Sequence, residues 1–134
     1  YAGAYNPLYL VRSKEIKDGD ALKEHVALGV NEHQLFELKG DRQPISIHAR
    51  EKEFNTRQIQ LMKGDALYLF TDGFTDQIGG PNGKKFLPKN FKKSLLSIQD
   101  LNMSEQKTNL EEILSKWKGR YEQVDDILVM GIKI

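Results

Sequence analysis

The sequence contains no cysteine. That excludes a disulfide framework and thiolate metal sites, and it is compatible with a reducing compartment, so a cytoplasmic location is expected. No apolar run approaches the roughly 20 residues needed to span a bilayer, and no direct membrane contact is expected. Charge of one sign is also lacking. The formal net charge is +1, so no global field points to nucleic acid or an anionic surface. Internal repeats and low-complexity tracts are missing too. What remains is ordinary for a globular domain: 134 residues, of which 39% are hydrophobic, make one domain or part of one. A strand-like run, Leu8–Val11, follows almost directly on Tyr1-Ala2-Gly3-Ala4, so a piece of a longer protein is expected.

The first half reads with period two. Leu8–Arg12 and Leu35–Leu38 are strands, and Val26–Val30 is a short strand within the polar stretch 13–31. Ile45, Ile47 and the residues near His48 form a weak strand. Thr56–Leu61 alternates, Lys63-Gly64-Asp65 turns, and Ala66–Phe70 is apolar, which predicts a hairpin. After Gly79–Gly83 the period becomes helical. Pro88 suits the first helical position, with Phe91, Leu95 and Ile98 on one face. Asn102 with Glu105 resembles a capping box, Leu110, Ile113, Leu114 and Trp117 form a stripe, and Gly119 is a stop. A last strand runs from Asp126 to Ile134. Strands, two helices and a closing strand predict an α+β fold with a mainly antiparallel sheet.

Two apolar runs carry aspartates at their ends: Ala66–Phe70 leads into Thr71-Asp72-Gly73, and Asp125-Asp126 leads into Ile127–Ile132. Runs this apolar fit strands buried on both faces. Antiparallel pairing would bring Asp72 and Asp125 to one edge of the sheet. Carboxylates held together repel unless a cation separates them, and oxygen ligands favour magnesium or manganese. Two strand-capping aspartates are the alternative reading.

Other motifs weigh less. Gly79–Lys84 falls one residue short of a phosphate loop, and Lys85 stands where Ser or Thr should be. A surface loop is expected there. His25, His33 and His48 lack metal-ligand spacing, and Asp18-Gly19-Asp20 lacks the other ligands of a calcium loop. Lys84, Lys85 and Lys89, with Lys92 and Lys93, make a basic cluster. It reads as a solvated helix face, or as a rim that attracts a phosphorylated, acidic partner.

Three segments, in order, resemble one family. Tyr1-Ala2-Gly3-Ala4-Tyr5-Asn6-Pro7-Leu8-Tyr9-Leu10 is similar to the "AGxNPLYL" strand of SpoIIE-type serine phosphatases, a bacterial branch of the type-2C metal-dependent protein phosphatases. Lys63–Asp76 resembles the "GDxLxLYTDGxxE" segment, and Gln123–Val129 resembles the "DDxTV" ending. The resemblance implies that residues 1–134 are the C-terminal portion of one phosphatase domain, part of a β-sandwich flanked by helices. It implies that Asp72 and Asp125 are metal ligands, that Gly73 keeps the backbone tight, and that Asp126 supports the site. Leu128 departs from the usual Thr or Ser, and Asp76 stands where a glutamate is common. No Ser, Cys or His nucleophile is implied.

The implied chemistry is hydrolysis of phosphoserine or phosphothreonine, assisted by two Mg2+ or Mn2+ ions that acidify water for in-line attack. The implied partner is a phosphorylated regulatory protein, often an anti-sigma-factor antagonist, and a sensor region usually precedes the domain. The family's aspartate-bearing turn, which bridges two metals, has no match in these residues. The chain alone is therefore expected to be inactive and to self-associate as a homodimer through uncovered strands. The competing class is a non-catalytic interaction module in bacterial signalling.

Overall fold

Alternation along β1 (Leu8–Ser13) sends Leu8 and Leu10 to one face of a sheet and Tyr9 and Val11 to the other. The computed structural model describes residues 1–15, 22, 25–45 and 52–134. Among them, β1, β2 (Val26–Val30), β3 (His33–Leu38), β4 (Ala66–Phe70) and β7 (Val129–Lys133) form one antiparallel sheet in the order β2-β3-β1-β4-β7. The predicted α+β class with an antiparallel sheet is the class observed. Between β4 and β7 the chain makes a short helix, α1 (Gly73–Asp76), a two-residue hairpin of β5 (Ile78–Gly79) and β6 (Lys84–Lys85), and helices α2 (Pro88–Ser97) and α3 (Met103–Lys118).

Both long helices begin where local chemistry dictates. Pro88 opens α2. At α3 the Asn102 side chain accepts from the Glu105 amide at 3.0 Å, and the Glu105 carboxylate accepts from the Asn102 amide at 2.9 Å. A capping pair of this kind contributes about 1 kcal/mol. Phe91, Leu95 and Leu110 bury against Tyr9, Val11, Leu35, Tyr68 and Phe70 on one sheet face. A chain of ring contacts runs outward from there: Phe70 to Phe91, Phe91 to Phe74, Phe74 to Phe86, Phe86 to Trp117, with centroids 4.7–5.4 Å apart. It fixes α1 between the sheet and the two helices. Inside the layer, the Tyr68 hydroxyl donates to Gln106 at 2.6 Å and accepts from Gln99 at 2.7 Å.

The opposite face has a different cover. Leu8, Leu10, Phe36 and Leu38 meet Tyr1, Leu22, Ile59 and Leu61, which come from irregular chain rather than from a helix. The buried Arg12 guanidinium grips Asp65 with two bonds of 2.8 and 2.6 Å and donates to the Gln60 carbonyl. Asp65 also accepts from the Met62 amide. Removing one member of such a buried pair costs about 3–5 kcal/mol. Beyond this cover Leu69, Leu128, Met130, Ile132 and Ile134 are all exposed.

Several sequence expectations need correcting. The predicted strand at Thr56–Leu61 is absent, and so is its hairpin with Ala66–Phe70. Both edges of β4 are already taken, by β1 and β7, so no partner edge remains. The alternation of Ile59 and Leu61 instead serves a loop pressed onto the sheet. The strand predicted from Asp126 begins at Val129. It and Ala66–Phe70 are not buried on both faces, because β7 is an edge strand among the described residues and Leu69 and Met130 are exposed. The Gly79–Gly83 loop closes β5 on β6 and lies flat on Trp117; a β-carbon on Gly79 would meet the Trp117 carbonyl at 2.0 Å. Ile45 is exposed, while Ile47, His48 and Asp18-Gly19-Asp20 lie outside the described residues.

Candidate metal corner

β4 and β7 pair so that Phe70 stands opposite Val129. One step beyond, the strands part into α1 on one side and an extended segment, 122–128, on the other. Thr71 ties them. Its amide donates to the Leu128 carbonyl at 3.1 Å, its hydroxyl donates to the Asp126 carbonyl at 2.7 Å, and the same hydroxyl accepts from the Leu128 amide at 2.9 Å. Gly73 then passes directly over the Asp126 carbonyl, where no side chain has room. The chain thus brings Thr71-Asp72-Gly73 against Asp126-Ile127-Leu128.

Asp72 takes the cap position of α1, yet its side chain makes no capping bond. Its carbonyl accepts from the Asp76 amide and the Thr75 hydroxyl, both at 2.9 Å, which fixes the backbone and leaves the exposed carboxylate free to face outward. Asp125 is exposed as well. One of its oxygens accepts from the Asp126 amide at 2.7 Å, and its carbonyl accepts from the Gln123 side chain. Asp126 is exposed and meets the 71–73 segment through its backbone.

The donors at this corner are hard carboxylate oxygens, a set that fits magnesium or manganese in kind. In number they fall short: among the described residues, no three carboxylate or imidazole groups converge as a metal site. An apolar groove of about 480 Å³ between α3 and β7, lined by Met103, Leu110, Leu114 and Val129, begins at Ile127 but contains none of these aspartates.

The basic residues divide. Lys85 is held beside α1 by an ion pair with Asp76 at 2.7 Å, and the Leu87 amide donates to the Thr75 carbonyl. Lys84 and Lys89 are exposed on β6 and on the first turn of α2. Lys92 turns away, pairing with Glu37 at 2.9 Å over the ring of Tyr9. His25 and His33 are half-buried, and His33 lies on β3, two strands removed from β4 in the sheet. Two residues had no role in the sequence reading. Thr71 was within reach, since a hydroxyl next to a candidate ligand is a natural clamp. Gln77 gave no signal at all.

Among the described residues, no helix is long and apolar enough to cross a membrane. The family model described as stage II sporulation protein E (SpoIIE) matches residues 2–134. A solved structure, the SiaA-PP2C domain of Pseudomonas aeruginosa, is similar with a TM-score of 0.76 at 27% identity, over 99% of this chain and 45% of that one. This chain therefore spans less than half the length of that relative. No curated protein matches it.

Proposed function

The chain belongs to the SpoIIE family of PP2C-type phosphatases, and we propose that residues 1–134 are the C-terminal portion of a phosphatase domain in which Asp72 and Asp125 are metal ligands. The family is generally dependent on Mg2+ or Mn2+. The observation that carries the assignment is the clamp at Thr71 and Gly73, which presses the Asp72 corner onto the chain next to Asp125. Exposed carboxylates on neighbouring backbones, that of Asp72 making no capping bond, are what a hard cation requires. Gly73 and Asp126 act through the backbone, as support.

When bound, Mg2+ or Mn2+ supplies Lewis-acid polarisation of a phosphoryl group and an acidified water. The protein's own residues hold one carboxylate at the cap of α1, just beyond β4, and the other on the exposed segment that leads into β7. The shortage of ligands among the described residues supports the reading that the remaining ligands of a complete domain come from elsewhere. The substrate class is phosphoserine or phosphothreonine on a cytoplasmic regulatory protein, such as an anti-sigma-factor antagonist. Lys84, Lys85 and Lys89 form a rim that favours its acidic surface.

The test is turnover of a phosphoserine peptide by the complete domain with Mn2+. Asp72→Asn and Asp125→Asn each remove a charge and almost no volume, so the fold should persist while activity is abolished. Leu128→Thr, on the exposed edge, should be nearly silent. Full activity in Asp72→Asn overturns the ligand assignment. A complete domain that binds phosphorylated partners without turnover makes it an interaction module.

A further inference from the structure

Gln77 follows α1 and is fully buried. Its side-chain nitrogen donates to two backbone carbonyls, Ile78 at 2.9 Å and Glu122 at 2.8 Å. Its side-chain oxygen is buried with no partner among the described residues. The amide cannot be turned over, because that would set its oxygen against two carbonyl oxygens. Its backbone is pinned as well: the Gln77 carbonyl accepts from the Trp117 indole and the Phe86 amide, both at 3.0 Å. The side chain is therefore a rigid strut from the core to the segment that leaves α3.

That segment carries Asp125. Downstream, Thr71 holds it at Asp126 and Leu128. Upstream, the Gln77 amide holds it at Glu122. The residues between, Gln123, Val124 and Asp125, are exposed, and among the described residues their side-chain bonds stay within the segment itself. The position of Asp125 is thus set by two anchors, and both come from the stretch 71–77 that contains Asp72. An apolar side chain of equal volume would fill the space without stranding an oxygen. What an amide adds is N–H donors, and both are used.

We propose that Gln77 is a positioning residue, whose buried amide fixes the segment bearing Asp125 relative to Asp72. Asp125 as a ligand rests on the functional reading above; the strut does not.

The experiment is Gln77→Met in the 134-residue chain, which keeps the volume and removes the donors. Two readouts separate the strut from the metal assignment: backbone relaxation by NMR, and Mn2+-induced broadening of the Asp72 and Asp125 signals. The expected result is that backbone order parameters at Gln123–Asp126 fall from about 0.85 to below about 0.6, with α3 and β4 unchanged, and that Mn2+ binds more weakly by about tenfold, as when a supporting partner of a ligand is lost. Unchanged order parameters at Gln123–Asp126 overturn the proposal and leave the metal assignment standing. Lowered order parameters with broadening equal to that of the wild type support the strut and count against Asp125 as a ligand instead. If Gln77→Met does not fold, the wild-type chain answers: slow exchange of the Gln77 side-chain amide protons and a coupling across the hydrogen bond to the Glu122 carbonyl carbon are expected, and their absence overturns the strut.

Discussion

A β-carbon added to Gly73 would stand 2.3 Å from the carbonyl oxygen of Asp126. The obstacle is backbone, which cannot swing aside. Gly73→Ala must therefore part the two chain segments that carry Asp72 and Asp125. The expected destabilisation is about 1–3 kcal/mol, the range for overpacking. Mn2+-induced broadening at Asp72 and Asp125 should fall further than that loss explains. A variant with wild-type urea midpoint and wild-type broadening would show that the contact is not needed.

The chain alone should not hydrolyse a phosphoserine peptide at a useful rate. Two carboxylates hold one hard cation weakly, and a two-ion clamp needs more ligands than the described residues bring together. Manganese-dependent turnover by the 134-residue chain, at a rate like that of a complete domain, contradicts this.

Alkaline pH should unfold the protein. Burial pushes the Tyr9 hydroxyl up, with the Glu37 charge adding to it, and burial raises Tyr68 despite its bonds to Gln99 and Gln106. Both folded pKa values lie above the unfolded value near ~10. The folded state therefore binds more protons in this range. Their contribution is fully present below about pH 10 and is lost as pH rises towards the folded values. Absorbance at 295 nm should show Tyr9 and Tyr68 ionising together with loss of the helical signal. Their ionisation in an intact fold would refute the burial account.

The exposed sheet face should draw two copies together. Leu69 on β4 and Met130 and Ile132 on the edge strand β7 form one exposed apolar surface. Light scattering at micromolar concentration should show a concentration-dependent dimer, and Met130→Lys should reverse it. A strictly monomeric wild type at every concentration would mean that this face is tolerated in water.

What could be read from the sequence was what local chemistry encodes. Asn102 and Glu105 lie three residues apart and satisfy each other, and Pro88 needs no partner to start a helix. The stripe from Leu110 to Trp117 and the three ordered matches to the SpoIIE pattern were legible in the same way, and the family match over residues 2–134 agrees with them. Thr56–Leu61 misled because alternation says which side chains point inward, not whether an edge is free to pair. Thr71 and Gln77 bond to backbone carbonyls and amides far along the chain, and such partners leave no trace in residue type. The exposed face was equally hidden, since an apolar strand reads the same whether or not anything lies on it.

The strand order has a kinetic consequence. β4 pairs with β1 and with β7, each about half the chain away along the sequence. Contacts this distant close slowly, because chain entropy is lost before any pairing rewards it. β7 is the last strand in the chain, and Asp125 lies just ahead of it. The segments that carry the two aspartates meet only where β7 is docked on β4. A cation that prefers the assembled corner would pull that docking step forward and slow its reversal, so that ligand binding and completion of the fold become one event.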